Sequence, residues 1–120
     1  MQIQIKNRTK QIGVKIIKLV DDLPNKPSTT IIAKQIIKSS TSIGANYRAA
    51  CRAKSKPDFI NKLKIVEEET DETIYWLEIL DECSLIMRDK ISDLIKETHE
   101  ILSIIVASIN TTKKNLKPKI

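Results

Sequence analysis

Only two glycines and four prolines interrupt 120 residues, and Pro24, Pro27 and Pro57 fall between runs in which apolar side chains return every three or four positions. Glycine and proline are the punctuation of a chain, and a many-stranded sheet needs them at every turn. A chain this sparing of them, with a 3.6-residue apolar period, is confined to a few long helices. Isoleucine is abundant, and its branched β-carbon favours strands when read residue by residue. Periodicity is the stronger signal, and it is helical.

The spacing predicts helices over about residues 6–22, 28–53, 56–83 and 89–112, making one all-α domain over 1–112 and leaving a basic flexible tail at 113–120. In the first helix Ile5, Ile12, Ile16, Leu19 and Leu23 share a face that Val20 widens. Pro24 and Pro27 hold the preceding residues extended and end it. Ser28 is the expected cap of the second helix, whose stripe is Ile32, Ile36, Ser39, Ile43 and Ala50, with Ile37, Ser40, Gly44 and Tyr47 alongside. The run Ser39–Ala45 has poor helix propensity, and a loop is the alternative there. The apolar spacing continues through it, which favours an unbroken helix whose small side chains admit a close neighbour.

The third helix has the clearest start: Ser55 as N-cap, Pro57 in the first turn and Asp58 three places after the cap. Phe59, Leu63, Val66, Thr70, Thr73, Leu77 and Leu80 form its seam, and Ile65, Trp76, Ile79 and Cys83 form a second row. In the fourth helix Ile91, Leu94, Ile95, Thr98, Leu102, Ile105 and Ile109 face one way, while Ile101, Ile104 and Val106 make its second half apolar nearly all round. Short connections make successive helices antiparallel neighbours, an up-down-up-down four-helix bundle. Apolar faces on the third and fourth helices exceed what one intramolecular seam hides, which points to a homo-oligomer.

Charge is distributed in blocks. Residues 1–56 carry twelve Lys or Arg against Asp21 and Asp22, residues 57–100 carry thirteen acids against five bases, and residues 101–120 add four lysines and no acid. Neutralisation between adjacent helices is the ordinary reading of such blocks. The other is a basic field presented to nucleic acid. No secretory segment, apolar run of membrane-spanning length or lipidation signature is present, and Cys51 and Cys83 suggest neither a disulfide framework nor a zinc knuckle. A reduced cytoplasmic setting without membrane contact is expected.

Catalytic arrangements fail one by one. A di-metal carboxylate bundle needs Glu-x-x-His pairs, but the single histidine, His99, has no Glu three places before it. Cys51 has no nearby base to make it a nucleophile, and Gly13 and Gly44 form no phosphate loop. No enzyme activity, cofactor or metal is expected. Most of the run Glu67–Glu72 is a solvated face. Glu72 is the exception, on the row of Ile65 and Trp76, where Asn46, Arg48 or Arg52 of the antiparallel helix is its expected partner.

The notable surface combines Tyr47, Arg48, Arg52, Lys54 and Lys56 with Lys62 and Lys64 on the next helix. All four aromatics, Tyr47, Phe59, Tyr75 and Trp76, lie within thirty residues. Arginine forks and rings suit phosphates and unpaired bases. They equally suit a protein interface, which is the favoured reading of this surface because the aromatics are only four and Phe59 is expected in the core.

The stretches Ser39–Ala50, Ser55–Val66 and Asp71–Leu80 resemble the bacterial four helix bundle protein family. That family includes proteins encoded in intervening sequences of large-subunit ribosomal RNA genes and is distantly similar to the accessory variability protein of diversity-generating retroelements. The resemblance implies a left-turning antiparallel bundle assembled as a homopentamer, with a basic surface suited to nucleic acid, and it implies helix through the serine-rich segment. By match to the family pattern Asn46, Arg48, Glu72, Tyr75 and Trp76 stand out, and Ala49 occupies a place where many relatives carry Glu.

The resulting expectation is a non-catalytic oligomeric scaffold that binds structured RNA or DNA through Arg48, Arg52, Lys54, Lys56 and Lys62, helped by Lys113 and Lys114 of the tail. Asn46, Tyr47, Glu72, Tyr75 and Trp76 would serve interfaces. The alternative is a protein-interaction module, such as an accessory subunit of a reverse transcriptase or another partner protein.

Overall fold

The computed structural model describes residues 1–116, which form four helices: α1 (Gln2–Val20), α2 (Pro27–Ala50), α3 (Lys56–Glu82) and α4 (Arg88–Leu116). There is no strand among the described residues. Each helix packs on its neighbour in sequence, and α4 closes the ring against α1 over a shorter stretch. The bundle is 58 Å long and about 22 × 21 Å in section. In this topology α1 and α3 begin at one end, where α2 and α4 finish.

The expected faces are the buried ones. Ile12 and Ile16 of α1, Ile36 and Ile43 of α2, Leu63, Val66, Leu77 and Leu80 of α3, and Ile91 and Ile105 of α4 are sealed from solvent. Fully burying such a side chain contributes roughly 1.5–3 kcal/mol, which overrides the weak helix propensity of isoleucine. Some assignments shift by one position. Ile60 and Ile74 are buried on α3, while Phe59 is only half-buried. Ile101 replaces Leu102 as a sealed core residue of α4, and Leu19 and Leu23 stay half-buried.

The serine-rich segment is continuous helix. Its hydroxyls bond back to carbonyls one turn earlier, Thr41 Oγ1 to Ile37 at 2.7 Å and Ser42 Oγ to Lys38 at 2.7 Å, so they are satisfied without leaving the helix. Ser39 and Ser40 are fully buried. Thr73 Oγ1 donates to Ser39 Oγ across the α2–α3 seam at 2.9 Å. Small residues also set the α1–α2 distance: a β-carbon on Gly44 would meet Lys10 Cα and N at 3.2 Å and Thr9 C at 3.3 Å.

The helix ends differ in places from the sequence reading. α1 starts at Gln2 rather than Lys6, and α2 stops at Ala50 rather than Ala53. The N-cap position of α2 is Lys26, not Ser28, with Pro27 in the first turn. The Lys26 amide donates to Thr29 Oγ1 at 3.0 Å, and that hydroxyl donates on to the Pro24 carbonyl. Ser55 does cap α3, accepting from the Asp58 amide at 3.2 Å. α3 ends with Ser84 left-handed at φ 54°, where the Ser84 and Leu85 amides donate to the Asp81 and Leu80 carbonyls at 3.0 and 3.2 Å. α4 runs to Leu116, so Lys113 and Lys114 lie in its last turn; residues 117–120 of the expected tail lie outside the described residues.

Candidate nucleic-acid interface

Neither α1 nor α2 contains a single acid, and together they carry Lys6, Arg8, Lys10, Lys15, Lys18, Lys34, Lys38 and Arg48. The acids lie chiefly on α3 and α4. The topology then adds a polarity along the bundle that no single helix has. The end where α2 and α4 finish gathers Arg48, Arg52, Lys54, Lys56, Lys113 and Lys114, with Lys6 from the start of α1. The opposite end gathers Asp21, Asp22, Asp81, Glu82 and Asp89.

Among the described residues, ion pairs involve only three cations: Arg8, Lys62 and Arg88. Arg8 Nε and Nη2 donate to Glu97 at 2.9 Å, and Nη2 also to Glu100 at 2.8 Å, fastening α1 to α4. Those hydrogen bonds hold the Glu97 carboxyl below the usual range against its partial burial. Lys62 does not belong to the open basic surface. Its Nζ donates to both Asp58 oxygens at 2.7 and 2.8 Å, one turn away on the same helix. The Lys54 amide donates to the same carboxylate at 3.1 Å, and together these lower the Asp58 pKa. Asp58, the one acidic side chain close to the basic end among the described residues, is therefore neutralised locally. Arg48, Arg52, Lys54 and Lys56 have exposed side chains without an ion-pair partner among the described residues.

Two openings adjoin this end. A groove of about 430 Å³ runs along the α1–α2 seam, where Arg48 faces Lys6 and Lys10 over a floor that includes Gly13 and Gly44. The sequence reading missed Lys6 and Lys10. Their signal was present in the absence of acid from the first helix, but the α1–α2 register that sets them opposite Arg48 belongs to the packing. A second cleft, of about 480 Å³, lies between the start of α1 and the last turns of α4, lined by Tyr47 and Phe59 among others. Burial, and after it the neighbouring Cys51, push the Tyr47 hydroxyl up to about 12, so it stays neutral at ordinary pH.

The other singled-out residues lie elsewhere. Tyr75 is 54% exposed and meets Trp76 edge-on, with ring centroids 5.0 Å apart. Trp76 Nε1 donates to Glu72 at 3.3 Å. Glu72 is exposed and takes this partner from its own helix, not Asn46, Arg48 or Arg52, because one turn of helix brings the indole within reach. Asn46 Nδ2 donates to the Ser42 carbonyl at 2.8 Å. Ile65 is 42% exposed, and Trp76 and Ile79 are half-buried, so the second row of α3 stays uncovered in one chain. Among the described residues no three His, Cys, Asp or Glu side chains group to hold a metal, and no helix is long and apolar enough to cross a membrane.

The family described as 23S rRNA-intervening sequence protein matches residues 1–107. Among solved structures, a protein of unknown function from the S23 ribosomal protein family of Bacteroides thetaiotaomicron is 38% identical to the chain. That match covers 88% of this chain and 97% of the other, with a TM-score of 0.81. No curated protein matches the sequence.

Proposed function

Because the chain belongs to the family of 23S rRNA-intervening sequence proteins, we propose that it is a non-catalytic, self-associating scaffold that binds structured RNA or DNA through its basic end. The observation that carries this reading is the gathering of Lys6, Arg48, Arg52, Lys54, Lys56, Lys113 and Lys114 at one end, none of them in an ion pair among the described residues. Cations left free on a structured surface are what phosphates displace counterions to reach. The bundle supplies rigid placement and no chemistry of its own.

Binding of a labelled RNA hairpin, followed by anisotropy across a salt series, tests it. With about six phosphate contacts, affinity falls by roughly a thousandfold between about 50 and 200 mM salt. The double reversal Arg48→Glu with Arg52→Glu weakens binding at least tenfold for hairpins of different sequence alike. Salt-insensitive binding, or a double reversal that binds normally, overturns the reading.

Self-association uses a different surface, the uncovered row of α3 with Ile65, Tyr75, Trp76 and Ile79. Aromatic anchors beside aliphatic area are what interfaces between chains are built on. The number of copies we take from the family resemblance, a pentamer. Light scattering should give a mass near five chains, and a Trp76→Glu variant should run smaller. A wild-type mass of one chain would sink the self-association. The same pair, Tyr75 exposed and Trp76 half-buried, supports the second reading, a module that docks on a reverse transcriptase or another partner protein.

A further inference from the structure

The cleft at the basic end lies between α1 and α4, the pair of neighbouring helices that pack over the shortest stretch. Arg8 ties α1 to Glu97 and Glu100 farther up α4, while the first turn of α1 and the last turns of α4 leave a space of about 480 Å³ between them. That is the size of a site for a small organic group. Its walls combine three chemistries. Tyr47 and Phe59 supply rings, Ile104 supplies aliphatic surface, and Gln2, Ser108 and Thr111 supply amide and hydroxyl groups. The Ser108 hydroxyl gives its proton to the Ile104 carbonyl at 2.9 Å, which leaves its lone pairs to accept from a ligand.

The surroundings narrow the ligand. Arg52, Lys56, Lys113 and Lys114 each lie within about a turn or so of a lining residue along the chain, Lys6 lines the adjoining α1–α2 groove, and none is in an ion pair among the described residues. A purely aliphatic ligand would leave the amide, the hydroxyls and the lysines without a role. A flat ring with polar edges, attached to phosphates, uses all three.

We infer that this cleft receives one unpaired nucleobase of a bound nucleic acid, stacked against Phe59 over the Tyr47 floor, with the flanking phosphates held by the lysines around its mouth. The inference rests on the nucleic-acid reading above and adds to it a site and a preference. A strand with an unpaired end is bound better than a blunt duplex, because stacking on a ring is open only to a base outside the helix.

Three labelled RNA duplexes test it: blunt, with an unpaired end carrying 2-aminopurine, and with the same end made abasic. The intact base should bind about tenfold tighter than the abasic end, at the low side of what stacking contributes, and its fluorescence should be quenched on binding. Ala107, exposed at the cleft, gives a variant that leaves the core alone. Ala107→Leu, which fills the cleft with no ring to stack on, should remove the tenfold advantage and leave blunt-duplex affinity unchanged, and Phe59→Ala should do the same where circular dichroism shows the helices intact. Equal affinity for base and abasic ends overturns the cleft assignment while the scaffold reading stands. An advantage that survives Ala107→Leu places the base elsewhere and also overturns it. Failure of all three RNAs to bind removes the nucleic-acid reading itself.

Discussion

Gly13 and Gly44 both lie on the α1–α2 seam, Gly13 against Ser40 and Thr41 and Gly44 against Thr9 and Lys10, yet the two glycines carry different constraints. A methyl group at Gly44 meets backbone atoms of Lys10 and Thr9 at 3.2–3.3 Å, and backbone does not rotate aside. At Gly13 the nearest atoms, from Ser40 and Thr41, are at 3.5 Å, an ordinary contact. Alanine gains about 1 kcal/mol of helix propensity at either place, but forcing a packed seam apart costs about 1–3 kcal/mol. Gly13→Ala should therefore stabilise the protein by up to about 1 kcal/mol, while Gly44→Ala destabilises it by about 1 kcal/mol net. Urea midpoints that move in opposite directions check this. Two midpoints that both rise would mean that α1 and α2 slide apart freely.

At the level of the element, helix ends were the least legible part of the sequence. The Ser55 cap was readable because serine, proline and aspartate stand at fixed offsets within four residues. The start of α2 was not, because the helix begins before Ser28, with Lys26 at the N-cap position, and the hydroxyl that accepts the Lys26 amide is that of Thr29 inside the first turn. The end of α3 carried no glycine to announce it, and Ser84 takes the left-handed position that glycine normally fills. A non-glycine residue there costs about 1 kcal/mol or more. Ser84→Gly should raise stability by about that amount, read as a higher thermal midpoint with unchanged helix content. A midpoint that falls would show that the serine hydroxyl makes a compensating bond.

For the whole molecule, closure of the ring depends on α4 returning to α1, and the Arg8 fork is its polar fastening. Glu97 sits below its ordinary range because Arg8 bonds its charged form. A carboxylate lowered in this way adds stability in full above about pH 4.3, and the gain is lost as pH falls through the lower folded value. Solvent screening at this partly exposed pair keeps the contribution near 1 kcal/mol. Glu69 works the other way: burial, then repulsion from Glu72, raises it, so part of that gain is offset as pH rises. Urea denaturation from about pH 3 to 7 should show Arg8→Ala less stable than wild type by about 1 kcal/mol at neutral pH, with the two curves converging in acid. A gap that stays constant with pH would mean that Arg8 acts through packing alone.

The sequence by itself determined that this chain is four helices, where their connections lie and which stripe of each is buried. Those depend on local period and on punctuation, and both are written residue by residue. It also placed the cations Arg48, Arg52, Lys54 and Lys56 in one stretch. Only the tertiary structure decided which charges remain free and which neighbours they have. Arg8 is taken by Glu97 and Glu100 from the far end of the chain, a pairing only the fold could make. Lys62 with Asp58 and Glu72 with Trp76 instead pair one turn apart on α3, a spacing already written in the sequence. Lys6, Lys113 and Lys114 joined the basic end only because up-down-up-down topology returns both chain termini there. The α1–α4 cleft has no linear signal at all, since its walls come from all four helices.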